Sequence, residues 1–253
     1  GRKIPTGEEI VFGEDELIAR VEGRAAFGLR VLRFEPVNAM EKTLESLGHI
    51  PLPPYIKRQD EPADRERYQT VYAHAGTAVA APTAGLHFTS QILERIRARG
   101  AEIMELTLNV GLGTFEPVRT EHLEEHKIHT ELYEISESAA AALNRARREQ
   151  RPILAVGTTV VRALEDAAEK SAAKAASEQS HIEPGLRTAD IFLYPGKPFR
   201  IVNQMLTNFH LPRSTLLAMV AAFASREKIL AAYGHAVETG YRFYSYGDCM
   251  LIR

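Results

Sequence analysis

A change of period within a few residues constrains the fold of this chain most tightly. Ile153-Leu154-Ala155-Val156 is a short apolar run, and a helical pattern takes over at Thr158 and continues to Glu169. An uninterrupted apolar run of that length is the kind buried in a parallel sheet. Similar alternation surrounds it. Thr89 or Ser90 can cap a helix carrying Ile92, Leu93 and Ile96, ended by Gly100. Glu102 to Val110, Ile191 to Tyr194 and Phe199 to Leu206 read as strands. Ser136 to Gln150, Ser214 to Ala224 and Arg226 to Glu238 read as helices. The alternation predicts an α/β fold, a layered catalytic domain over residues 37–253. Ser171 to Ala189, rich in Ala, Ser, Glu and Lys, reads as a mobile surface excursion.

The amino end has a different texture. Glu9 to Phe12, Leu17 to Val21 and Leu29 to Phe34 are β-prone runs separated by Gly7, Gly13, Gly23 and Gly28. They predict a small sheet, with too few strands to close a barrel. Met40, Leu44 and Leu47 then have helical spacing before Gly48, and Pro51, Pro53 and Pro54 force an extended segment.

Composition narrows the partners. Across 253 residues, 31 Lys+Arg face 33 Asp+Glu for a formal charge of −2, so any polyanion needs a local basic patch. Candidate patches are Lys57, Arg58, Arg65 and Arg67; Arg95, Arg97 and Arg99; and Arg145, Arg147, Arg148 and Arg151. The lone Cys249 cannot form an internal disulfide. It sits in Asp248-Cys249-Met250-Leu251-Ile252, which reads as a buried terminal strand. No apolar stretch approaches the ~20 residues that span a bilayer. Gly1 to Pro5 do not read as a signal peptide, and a cytoplasmic location is expected.

Four loops hold more small and polar residues than a connection requires. Ala81 to Thr89 contains Thr83, Gly85 and His87, the last with a pKa suited to proton transfer. Asn109 to Pro117 carries Gly111, Gly113 and Thr114 at a strand end, without the third glycine of a dinucleotide loop. Gly157, Thr158, Thr159 and Arg162 form a strand-turn-helix, where open α/β sheets bind ligands. Its hydroxyls and helix-start amides can hold a carboxylate. Finally, Asn208, His210, Arg213 and Ser214 crowd the start of an apolar helix. His122, His126 and His129 have the spacing of one helical face, which would suit zinc. The strand-like pattern from Ile128 to Ile135 breaks that face before His129.

Together these segments resemble the S-adenosylmethionine:tRNA ribosyltransferase-isomerases of queuosine biosynthesis. The resemblance is carried by Ala81 to Thr89, Leu108 to Phe115 with Pro117-Val118, His126 to His129 with Glu131, Gly157 to Thr159 with Arg162, Leu206 to Leu217, and Tyr241 to Asp248. His49 to Ile56 looks like the family too, and Val160 stands where the family pattern has a serine. Members of that family carry additional residues ahead of the matching segment, including most of an inserted β-barrel. Residues 1–36 are therefore expected to be the C-terminal part of a β-barrel domain, in a chain that lacks preceding residues.

The resemblance implies an enzyme that transfers and isomerises the ribosyl group of S-adenosylmethionine onto 7-aminomethyl-7-deazaguanine at the tRNA wobble position. Adenine and methionine leave. S-adenosylmethionine is the co-substrate, tRNA the partner, and no metal or other cofactor is implied. Such chemistry needs a base, a proton donor and a carboxylate clamp. His87 or His210 are candidates for the base, and Asp248 for orienting a cation or the other proton carrier. Arg162 or Arg213, with Thr158 and Thr159, are candidates for the methionine carboxylate. His126, His129 and Glu131 then become hydrogen-bonding site residues. The competing readings are a noncatalytic tRNA- or nucleoside-binding fragment and a metal hydrolase built on His122, His126 and His129.

Overall fold

Strands β1 (Glu9–Phe12), β2 (Leu17–Arg24) and β3 (Arg30–Phe34) form an antiparallel meander in that order. Leu17, Ala19 and Val21 of β2 alternate onto one buried face, as period-two patterning requires. A register shift between Val21 and Gly23 marks a bulge opposite Val31. Helix α1 (Met40–Leu47) follows. This computed structural model describes residues 4–25, 29–35, 40–53, 55–74, 78, 80–109, 120–126, 128–174 and 181–253. Residues 1–50 and 51–253 form two compact units. Among the described residues the first unit's sheet does not close on itself.

Among the described residues the second unit holds two sheets. Its elements are α2 (Asp64–Arg67), α3 (Ser90–Ala98), β4 (Thr107–Asn109), β5 (Glu131–Ile135), α4 (Glu137–Arg148), β6 (Leu154–Val156), α5 (Thr158–Lys174), β7 (Gly185–Ala189), β8 (Gln204–Asn208), α6 (Thr215–Ala224), α7 (Arg226–Glu238) and β9 (Cys249–Ile252). Hydroxyls cap the helices where the sequence offers them: Thr89 accepts from Ile92 N, Ser136 from Ala139 N and Ser214 from Leu217 N. One sheet runs β4-β5-β7, all antiparallel. The other runs β6-β8-β9, with β6 and β8 parallel and β9 antiparallel to β8. Helix α5 packs on β6, β7 and β8, burying Val161, Ala163, Leu164, Ala167 and Ala168 in the core with Tyr133, Ile135 and Met205. The fold is α/β, as the period change at Ile153 predicts.

Three expectations fail for identifiable reasons. Among the described residues, Ser171 to Ala189 is not a surface excursion. Helix α5 continues to Lys174, Ile182 is fully buried, and Gly185–Ala189 pairs with the whole of β5. A buried asparagine fixes it: Asn144 Nδ2 donates to Ile182 O and Asn144 Oδ1 accepts from Ile182 N, each at 2.8 Å. Ile191 to Tyr194 is no strand, because Arg162 takes the Ile191 carbonyl. The strand expected from Phe199 starts at Gln204. The amides of Arg200, Ile201 and Val202 all donate to the buried Glu165 carboxylate and cannot join a ladder. The strand from Glu102 shortens to Thr107–Asn109.

Asn144→Ala would strand both polar groups of Ile182 in the core. We expect a loss of about 3 kcal/mol of stability, read as a lowered urea midpoint with unchanged m-value.

Candidate active site

The sheet β6-β8-β9 brings distant loops to one edge. β6 and β8 are parallel, so Gly157–Val160 and Phe209–Ser214 leave from the same end. Asn208, the last residue of β8, pairs with Cys249, the first of β9, so the 241–248 loop arrives there too. The turn Thr83–His87 packs beside β8, and Thr83 Oγ1 donates to Asn208 Oδ1 at 3.3 Å. Gly157 takes φ +95 to make the strand-to-helix turn, and its amide donates to Leu206 O.

Around this edge lies a cleft of about 830 Å³, partly open to solvent. Ala81–Ala84, Gly157–Val160, Thr207–Leu211, Tyr244 and Ser245 are prominent in its wall. A smaller cleft of about 430 Å³ is lined by His126, His129, Glu131, Arg162, Thr215 and Met219 among others. The two share Thr158, Thr159 and Leu216.

Two histidines differ in their surroundings. His210 Nε2 lies 2.7 Å from Thr207 Oγ1, and its backbone N–H donates to Tyr233 OH. Burial pushes its pKa down to about 4, so the ring is neutral near pH 7. His87 Nε2 lies 3.1 Å from Asn208 Nδ2, whose Oδ1 already faces Thr83. With Asn208 donating, His87 carries its proton on Nδ1. Burial lowers the His87 pKa as well, against the opposing charge of Asp248.

The expected site residues thus separate. Thr83, Gly157, Thr158, Thr159, Asn208, His210 and Ser214 line the larger cleft, as does Val160. His126, His129, Glu131 and Arg162 line the smaller one. His87 stands behind Asn208, outside the lining. Gly85 makes room for protein rather than ligand, since an added Cβ would meet Tyr72 OH at 2.1 Å. Asp248 is engaged by the backbone N–H and the guanidinium of Arg242, which lower its pKa. Arg162 has little left for a carboxylate. It donates to the carbonyls of His129, Ala189 and Ile191 and pairs with Glu131 at 3.4 Å. Arg213 is exposed at φ +57 and lines neither cleft. Gly111, Gly113 and Thr114 lie outside the described residues.

His122, His126 and His129 do not share a helix. Among the described residues of this stretch only Leu123–Glu125 is helical, as a single 3-10 turn, and His126 is already extended. Among the described residues no cluster of three or more His, Cys, Asp or Glu is placed to hold a metal.

Tyr55, Ser245 and Tyr244 are wall residues that loop reasoning missed. Tyr55 OH hydrogen-bonds Ser245 Oγ and accepts from Ser245 N. Behind them Asp64 is buried: it accepts two bonds from Arg58, one from Tyr246 OH and one from Glu61 N. Arg58 is therefore committed here and not to a phosphate. An aspartate six residues after an arginine in a proline-rich stretch was the only signal available. Arg58 holds the Asp64 carboxyl well below the usual carboxylate range. A depressed folded pKa contributes stability above the unfolded value and loses it as pH falls. Asp64→Asn should therefore melt below wild type at neutral pH, with the gap narrowing below about pH 4. Thermal melts over a pH series check this; a gap that widens on acidification contradicts it.

Comparison with known proteins places these loops in context. The family described as "Queuosine biosynthesis protein" matches residues 1–252. The chain is 53% identical over 252 residues to the S-adenosylmethionine:tRNA ribosyltransferase-isomerase of Solibacter usitatus, covering 100% of this chain and 67% of that protein. It is 51% identical over 253 residues to the protein of the same name from Moorella thermoacetica, covering 100% of this chain and 71% of the other. The crystal structure of the S-adenosylmethionine tRNA ribosyltransferase of Thermotoga maritima aligns with TM-score 0.52 at 31% identity. That alignment covers 99% of this chain and 67% of the other.

Proposed function

Because the chain belongs to the queuosine biosynthesis protein family, we propose that it is an S-adenosylmethionine:tRNA ribosyltransferase-isomerase. It moves the ribosyl group of S-adenosylmethionine onto 7-aminomethyl-7-deazaguanine at the tRNA wobble position. The products are epoxyqueuosine-tRNA, adenine and methionine. One observation carries the reading: loops more than a hundred residues apart, each resembling that family, line one cleft. The chemistry is assigned to residues 37–253, with 1–36 as strands of a barrel domain.

The sulfonium acidifies the neighbouring 5′ carbon, so a modest base can remove its proton. His210 is neutral, lines the cleft and is the better placed base. Loss of adenine is helped by a hydrogen bond from Asn208 Nδ2, whose other N–H donates to His87 behind it. The neutral aminomethyl nitrogen of the base attacks, and methionine departs as the epoxide closes. Water must be kept out meanwhile, which the partly enclosed cleft favours. Nothing in this scheme needs a metal or a resident cofactor.

A tRNA partner implies a cytoplasmic enzyme; among the described residues no helix is long and apolar enough to cross a membrane. The phosphate contacts are assigned to Arg95, Arg97 and Arg99 on and beside α3. All three are exposed, with no side-chain ion pair among the described residues. Arg145 and Arg151, by contrast, are tied to Glu102.

The deciding experiment measures adenine release from S-adenosylmethionine with tRNA bearing 7-aminomethyl-7-deazaguanine. Release that depends on both substrates is the expected result. Binding of that tRNA without adenine release would leave only the noncatalytic binding reading.

A further inference from the structure

One aromatic residue of the larger cleft is held in a backbone conformation that its type disfavours. Tyr244 takes φ +71, in the left-handed region. A bulky side chain there costs free energy and persists only where its surroundings fix it. Here they do: Tyr244 N donates to Phe209 O and Tyr244 O accepts from Gly247 N, each at 3.0 Å. The residue before it packs into the protein. The Phe243 ring lies 4.9 Å from that of Phe209 and 5.7 Å from that of Tyr233 between centroids. Tyr244 has a different environment, half-buried in the cleft wall.

The ring is steadied from one side. Tyr55, also in the wall, lies 4.9 Å away between centroids and is inclined at 46°. Tyr55 is fixed in turn, because its hydroxyl hydrogen-bonds Ser245 Oγ and accepts from Ser245 N. Two rings inclined to each other cannot both lie flat on one ligand. The Tyr244 hydroxyl makes no hydrogen bond among the described residues, so a polar anchor does not explain its strained backbone. What the strain secures is a ring on the cleft.

Asn208 supplies a matching polar group. It precedes Phe209, whose carbonyl holds Tyr244, and it lines the same cleft. Its Oδ1 accepts from Thr83 and one N–H of Nδ2 donates to His87, which leaves the second N–H. A flat π face beside one amide donor suits a planar heterocycle with an acceptor nitrogen, as a nucleobase is. Among the described residues no Lys or Arg lines this cleft, so it has no cation for a phosphate. A base on a phosphate-free nucleoside fits that wall better than one carried in a polyanionic strand.

We propose that Tyr244 is the stacking platform for the adenine of S-adenosylmethionine. This rests on the function proposed above and names the side chain that holds the leaving base while Asn208 donates to it. Stacking on a ring face keeps the adenine plane fixed as its bond to the ribose breaks.

The test titrates the full chain with 2-aminopurine riboside, an emissive isomer of adenosine that is quenched when stacked. The chain has no tryptophan, so the probe can be excited without exciting the protein. Wild type should quench the probe, and S-adenosylmethionine or adenosine should displace it and restore the emission. Tyr244→Phe keeps the face and should quench as wild type does. Tyr244→Asn removes the face while placing a residue that tolerates the left-handed region. It should lose the quenching and weaken S-adenosylmethionine by about five- to a hundredfold, the range of one base–aromatic stack. Tyr244→Leu, which keeps bulk without a π face, should do the same and decides the matter if Tyr244→Asn fails to fold. Full quenching by either folded variant overturns the proposal. Displacement of the probe by 7-aminomethyl-7-deazaguanosine but not by adenosine gives the platform to the tRNA base and overturns it too, with the enzyme reading left standing. So does a wild type that binds S-adenosylmethionine by calorimetry yet never quenches the probe. A wild type that binds neither sinks the enzyme reading itself.

Discussion

His210→Ala should slow adenine release by about 10²- to 10⁴-fold, the range expected when a positioned base is removed. The expectation follows from the ring's surroundings. Burial pushes its pKa down to about 4, so near neutral pH the imidazole is already deprotonated and ready to accept. The useful tautomer donates Nε2–H to Thr207 Oγ1, 2.7 Å away, and leaves Nδ1 bare. Its backbone is held as well, through Tyr233 OH. The pH profile separates this assignment from an ordinary histidine. A base must be unprotonated, so activity is lost as pH falls through its pKa. An unperturbed histidine would give an acid limb near 6.5. Here kcat/KM should stay flat for this group from about pH 8 down to about 5, and fall only toward pH 4. Thr207→Val should shift that limb and cost a smaller factor, because it frees the ring rather than removing it. A limb near 6.5 in wild type, or near-wild-type release by His210→Ala, gives the base role to another residue. His87→Ala is the informative comparison: it acts through Asn208, so its loss should be the smaller of the two.

How much of this was legible in the sequence depends on the range of the interactions. The α/β class followed from period alone, since the apolar run at Ile153 and the helix from Thr158 are local patterns. The caps at Thr89, Ser136 and Ser214 were equally local. Chain separation hid the rest. Residues 200–202 look like a strand until Glu165, thirty-five residues away, claims their amides. Ser171 to Ala189 reads as a mobile surface excursion until Asn144 holds Ile182 in the core and β5 pairs with Gly185–Ala189. At the site, residue types were legible and their partners were not. Arg162 reads as a free cation beside two threonines, yet three carbonyls and Glu131 surround it. Gly85 reads as a ligand approach, yet Tyr72 fills the space. Tyr55 lies in a stretch that resembles the family, but its place in the wall shows only through Ser245, 190 positions away, which bonds to it. Sequence patterns report what a residue can do; long-range pairing decides what remains available.

Gly247→Ala should damage both stability and activity, because the space it needs is enclosed by main chain. A Cβ at Gly247 would lie 2.4 Å from Arg242 O and 2.5 Å from both Phe243 C and Phe243 O. No side chain can rotate away to relieve that contact. The backbone itself must move, and it is pinned at both ends. Asp248 N donates to Arg242 O, Gly247 N donates to Tyr244 O, and the Asp248 carboxylate accepts from Arg242 N. Opening the loop breaks that set and shifts Tyr244 and Ser245 out of the cleft wall. We expect a loss of about 3 kcal/mol, at the upper end for forcing extra atoms into a packed site. In whatever fraction folds, adenine release should fall about tenfold or more, since small displacements of positioning groups are costly. Gly240→Ala is the control. It has open space around its Cβ position but φ +77, so only the backbone preference is lost, about 1 kcal/mol. Activity there should hold, because its neighbourhood does not line the cleft. Gly247→Ala melting with wild type, or Gly240→Ala proving the more harmful, would show that the 241–248 loop can yield where its geometry says it cannot. The terminal segment would then be a cover over the site and not part of its wall.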